Sequence, residues 1–156
     1  MNVLFSKRLE ATLFNMQGGY MSPMRNCICL DKLFLALMSD YGSHGSLIIN
    51  TMLKDWELER VLSRIELALS DGSGGVCCAV PREFRDYITE RLRMVCGEDL
   101  PCTITTGHVI FALLGDRRLN TARILEKYAV TPMKVFLSLM TLPMQEDFVR
   151  PQAKSS

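Results

Sequence analysis

The chain has 156 residues, 48% hydrophobic and 22% charged, which is the composition of an ordinary globular domain long enough to bury a core. Ten glycines and six prolines exclude a fibrous or low-complexity chain. Eighteen basic against 17 acidic residues leave a net charge of +1, which gives no long-range field for nucleic acid.

In chain order, the opening Met1 to Arg8 carries its charges behind its apolar residues, the wrong order for a secretory signal. No apolar run reaches the length of a membrane-spanning helix, so a soluble cytoplasmic protein is expected. Phe5, Leu9, Leu13 and Met16 then form a first stripe at helical spacing, since apolar residues at i, i+3, i+4 and i+7 share one helix face. Gly18-Gly19 and Ser22-Pro23 end it. Leu30, Leu33, Phe34, Leu37 and Met38 make a second helix, and Tyr41 to Ser46 a loop of small polar residues. A short apolar candidate spans Leu47 to Leu53, and Leu58, Val61, Leu62, Ile65 and Leu69 mark a longer helix.

Asp71-Gly-Ser-Gly-Gly75 is the strongest break and lies near the middle of the chain. Beyond it, Phe84, Ile88, Leu92 and Val95 predict a helix that stops at Gly97 to Pro101. Cys102 to Thr106 is the one β-leaning run and is too short for a sheet. Ile110, Leu113 and Leu114 continue a helix, and Thr121 to Tyr128 is a short candidate. Thr131-Pro132 is a helix start, with a capping hydroxyl followed by proline in the first turn. The last stripe is Met133, Phe136 and Met140, and the polar tail from 143 to 156 is expected to fray or to serve as a linker. The expected fold is all-α, with about eight helices.

The two halves align on one another. At an offset of 76 positions, Ile28 falls on Ile104, Leu33 on Val109, Phe34 on Ile110, Ala36 on Ala112 and Leu37 on Leu113. A shorter offset then places Leu53 on Leu125, Trp56 on Tyr128 and Leu58 on Val130. Two four-helix repeats are expected, at about 3–70 and 81–142, joined by a linker at 71–80. Neither can hide its apolar face alone, so they are expected to pack about a pseudo-two-fold axis.

The stretch Ile104-Thr-Thr-Gly-His-Val-Ile-Phe-Ala-Leu-Leu114, followed by Ala122-Arg-Ile-Leu125 and Val130, resembles the amino-terminal repeat domain of Clp-type AAA+ unfoldases. Ile28, Asp31 and Leu33 to Met38 resemble the same motif in the first half, as do the two repeat openings at Phe5-Ser-Lys-Arg8 and Pro81-Arg-Glu-Phe84. The resemblance covers about residues 3 to 142. It implies a non-catalytic module that docks adaptor or substrate proteins for ATP-dependent unfolding, proteolysis or disassembly. A short helix of a secretion sheath laid in a groove is one such partner. It also implies hexamers only where AAA+ modules are attached, with ATP bound only in those modules. Some members bind phosphorylated arginine through acids at the two equivalent helix starts. Here Gly107 stands where the second acid would be, and Asp31 is followed by Lys32, so that recognition is not expected. The implied partner-binding residues are Asp31, Lys32, Thr106, Gly107 and His108.

No phosphate-binding G-x-x-x-x-G-K-[ST] loop and no G-x-S-x-G elbow occur, so no enzymatic activity is expected of this chain. Cys27, Cys29, Cys77, Cys78, Cys96 and Cys102 fall as C-x-C, C-C and two single thiols. Zinc sites prefer a C-x-x-C or wider spacing, so reduced thiols and no metal or other cofactor are expected. The alternative is a cysteine-dependent metal-binding regulator or a small helical enzyme.

Overall fold

A computed structural model describes residues 4–16, 28–71, 77–78, 81–143 and 146. It is all-α in class, with eight α-helices among the described residues: α1 (Lys7–Met16), α2 (Leu30–Met38), α3 (His44–Met52), α4 (Asp55–Ser70), α5 (Pro81–Cys96), α6 (Thr106–Leu114), α7 (Asn120–Glu126) and α8 (Pro132–Leu139). Four two-residue strands precede or link them: β1 (Leu4–Phe5), β2 (Ile28–Cys29), β3 (Cys77–Cys78) and β4 (Thr103–Ile104). Most of the linker expected at 71–80 lies outside the described residues.

The helix-period stripes reach the core. Leu9, Leu33, Phe34, Leu37, Val61, Ile65, Phe84, Ile88 and Leu92 are each fully buried, as one apolar face per amphipathic helix requires. Three stripes depart from the sequence expectation, one of them only at its last member, Val95, which is 41% exposed near the end of α5. Phe5 belongs to β1 rather than to the first helix, where it meets Phe84 edge to face at 5.8 Å. In α8 the buried residue is Val135, while Met133 and Met140 are 55% and 70% exposed. Helix α8 is only eight residues long, and Val135 and Phe136 turn its inner side one position away from the methionines.

Helices α2 and α6 lie against each other near the centre. Helix α1 covers α2 and α5 covers α6. The later helices cross between the halves: α4 packs on α7 and α8 on α3, while α2 meets α7 and α3 meets α6. The strands cross too. β1 pairs in parallel with β4, Leu4 opposite Thr103, and β2 pairs antiparallel with β3, Ile28 opposite Cys78.

The helix starts follow local chemistry. Ser43 caps α3 by accepting the Ser46 amide at 3.1 Å. Thr131 caps α8 by accepting the Lys134 amide at 3.3 Å, with Pro132 in the first turn. The turns that follow α2 and α6 carry matching backbone bonds. The Asp40 amide donates to Leu37 and the Ser43 amide to Asp40, while the Asp116 amide donates to Leu113 and the Leu119 amide to Asp116.

Candidate functional site

Two buried carboxylates join the helix starts of the molecule. The first is Asp31, in the opening turn of α2 and fully buried. Its Oδ1 accepts the Thr121 hydroxyl at 2.6 Å and the Thr121 amide at 2.9 Å. Its Oδ2 accepts the Asn120 amide at 3.3 Å and the Asn120 side-chain amide at 3.2 Å. A carboxylate over free N–H groups at a helix start is favoured both by the hydrogen bonds and by the helix dipole. Asp31 thus caps α7 from the other half of the chain.

The corresponding start of α3 has no such acid facing it from α6, where Gly107 stands. A Cβ at Gly107 would lie 2.5 Å from Leu139 Cδ2 and 3.3 Å from His44 Cβ, and a Cβ at Gly45 would lie 2.9 Å from Ile110 Cγ1. Bare backbone on both sides lets α3 and α6 approach closely. The acid arrives instead from Glu146, which is 4% exposed. Its Oε1 accepts the His44 amide at 2.8 Å and the Thr106 hydroxyl at 2.7 Å. Its Oε2 accepts the Thr106 amide at 2.7 Å and the Ser6 hydroxyl at 2.6 Å. Thr106 Oγ1 in turn accepts the Gly45 amide at 2.8 Å. The tail expected to fray from 143 therefore contains a buried anchor at Glu146.

Beside this joint lies an open cavity of about 340 Å³ between the end of α5, the start of α6 and the end of α8. Phe136, Leu139, Met140, Leu142 and Pro101 supply apolar walls. Both histidines of the chain, His44 and His108, line it, together with Cys96 and Cys102. His108 Nδ1 accepts the Thr105 amide at 2.9 Å, which leaves the proton of the neutral ring on Nε2. Burial holds the His108 pKa down at about 4, against an upward pull from Glu146 and with a further downward push from His44. His108 is thus a neutral capping residue of α6. Burial and the Asp99 carboxylate both push the Cys96 thiol upward, so it is a poor nucleophile near neutral pH.

Of the five residues expected to meet a partner, only His108 faces the cavity. Asp31 turns inward to cap α7, Thr106 is occupied by Glu146 and Gly45, and Gly107 is packed under Leu139. Lys32 is exposed on α2 and does not line this cavity. The sequence reading missed Glu146, which lies in a polar tail, and the α8 wall of Phe136, Leu139 and Met140, of which only Phe136 and Met140 stood in a stripe. Among the described residues, no group of three or more His, Cys, Asp or Glu is placed to hold a metal ion, and no helix is long and apolar enough to cross a membrane. Comparison with family models, with curated proteins and with solved structures finds no match.

Proposed function

We propose that the chain is a non-catalytic protein-docking module of the kind carried by Clp-type unfoldases, built from two four-helix repeats and acting in the cytoplasm. The observation that carries this reading is the exchanged packing of the two halves. The pair α4 with α7 is matched by α8 with α3, and the pair α2 with α7 by α6 with α3, while the strand pairs β1–β4 and β2–β3 cross between the halves but differ in sense, one parallel and one antiparallel. The turn hydrogen bonds after α2 recur 76 positions later after α6. These repetitions support the two-repeat alignment on which the family resemblance rests.

The docking surface is the cavity beside α8. Its α8 wall is apolar, and the exposed Met133, Leu137 and Met140 lie on the same helix or its end. Unbranched thioether side chains adapt to partners of varied shape. The module would take an exposed apolar segment of an adaptor or substrate protein. Any ATP hydrolysis would belong to modules outside this chain.

The test is capture by immobilised chain, followed by identification of the bound proteins, comparing the wild type with Met140→Glu. A defined set of adaptor or unfolded proteins is expected, with capture reduced about tenfold in the variant, the effect of roughly 1.4 kcal/mol. Equal capture by the variant would move the surface away from the cavity. Capture of no protein, with zinc or a small molecule bound to the purified chain, would favour the cysteine-based reading instead.

A further inference from the structure

We propose that the starts of α1, α3 and α6 form a carboxylate-binding pocket, filled in cis by Glu146, and that a glutamate presented by a polypeptide segment of a partner competes for it. This site does not depend on the docking function proposed above.

Several features make the pocket more than a helix end. Two hydroxyls with almost no exposure, Ser6 at 1% and Thr106 at 0%, both donate to the same carboxylate. Two backbone amides from different helices, His44 and Thr106, complete four donors around two oxygens. Ser6 also accepts the Leu9 amide at 3.1 Å, which orients its hydroxyl outward toward the acid. Arg8 Nε donates to the Glu146 backbone oxygen at 3.1 Å, while its guanidinium also bonds Asp40. These four donors to the carboxylate are all neutral, and two of them are helix-start amides, as in anion sites built from helix starts.

The comparison with Asp31 shows what is special here. Asp31 belongs to α2 itself, the helix beside its target. The acid at the second joint is supplied by a residue beyond the last helix. Gly45 and Gly107 carry no acid for this joint, and the space over them is taken by Ile110 and Leu139. The pocket is thus formed by the folded body, while its occupant is tethered from outside that body. The occupant is a glutamate within a polypeptide, and Leu142 and Pro143, just before it, form part of the apolar cavity wall. An incoming segment lying along that wall meets the pocket with an acidic side chain.

The experiment uses the full chain with Glu146→Ala, which removes an acetate-sized fragment. The thermal midpoint should fall by about 5–15 °C, the shift expected when several buried donors lose their acceptor. Acetate should restore at least half of the loss in a saturable manner, while chloride and acetamide at matched ionic strength should not. A peptide of residues 141–149 should do the same at concentrations at least about tenfold below acetate, because it adds apolar contacts, and the same peptide carrying Glu146→Gln should not. Should the alanine variant fold only when acetate is present, the site is equally supported. Glu146→Gln keeps the side-chain volume, and it should lower the midpoint without any acetate response. An unchanged midpoint in both variants, or equal rescue by chloride, overturns the proposal. Rescue by acetate with no advantage for the peptide overturns the polypeptide partner and assigns the pocket to small organic acids.

Discussion

One oxygen of Asp31 receives both the hydroxyl and the amide of Thr121, at 2.6 and 2.9 Å, across 90 residues of sequence. This is the shortest polar link between α2 and α7, and all its donors are buried. Replacing Asp31 with alanine leaves those donors without an acceptor. The expected loss is about 3 kcal/mol or more, because bonds to charged groups and unsatisfied buried donors are both costly. Lys32→Ala, one position along and exposed, should stay within about 0.5 kcal/mol of wild type. Urea denaturation of the two variants checks the contrast, and similar losses for both would remove Asp31 from its capping role.

The neutral His108 sets a pH dependence. Its folded pKa is about 4 against an ordinary 6.5, so between those values the unfolded chain binds a proton that the folded chain does not. Stability is therefore fully present above pH 6.5 and falls as the pH drops toward 4, by roughly 3 kcal/mol at the lower end. His108→Gln keeps an acceptor for the Thr105 amide, in the manner of a capping box, and cannot titrate. Unfolding free energies measured at pH 7 and pH 5 should diverge for wild type and come closer together for the variant. An unchanged pH slope in the variant would show that the acid sensitivity lies elsewhere.

Asp116 loses its contribution at a lower pH. Burial pushes its carboxyl upward, but Arg118, the Tyr87 hydroxyl at 2.8 Å and Arg91 outweigh this and hold it down at about 2. Its contribution is present above the ordinary carboxylate range and disappears as the pH falls from about 4 toward 2. Tyr87→Phe should reduce stability by about 1.5–3 kcal/mol at neutral pH, the size of a hydrogen bond to a charged group. Chemical denaturation at pH 7 reads this directly, and no loss would mean that Arg118 and Arg91 satisfy the carboxylate without the tyrosine.

Ala129 ends α7 in the left-handed region, with φ at 63°, where a Cβ meets the following carbonyl. Its amide donates to Glu126 and the next amide, of Val130, to Leu125, a helix stop that glycine usually provides. Ala129→Gly should stabilise the chain by about 0.5–1 kcal/mol, less the flexibility that glycine adds to the unfolded state. A higher urea midpoint at an unchanged slope is the expected result, and a lower one would mean that the conformation carries no strain.

Much of the fold was legible because helix periodicity is local. Phe34, Leu37, Ile65, Phe84 and Ile88 all fell in stripes, and all are buried. The polar joints were not legible in the same way. Nothing near Asp31 in sequence tells that its acceptors serve Asn120 and Thr121, since the link depends on how α2 crosses α7. The loss of an acid at Gly107 was visible, but its replacement by Glu146 was not, because a single glutamate in a polar tail looks solvated. Methionine positions in α8 misled for a different reason: a helix this short offers little periodicity, so one neighbouring apolar residue changes which side appears to face inward.

Glu146 closes onto Ser6, which precedes it by 140 residues. On a translating ribosome, moving at about 5–20 residues per second, that interval lasts roughly 7–30 s. Throughout it the hydroxyl of Ser6 waits for this acceptor; for most of it β1 lacks the partner supplied by β4, and the start of α3, once made, lacks its acid. The first half of this chain therefore leaves the ribosome unable to finish its own surface. Its vulnerability to aggregation and to chaperone capture is greatest before the second half appears, and ends only once Glu146 has been made.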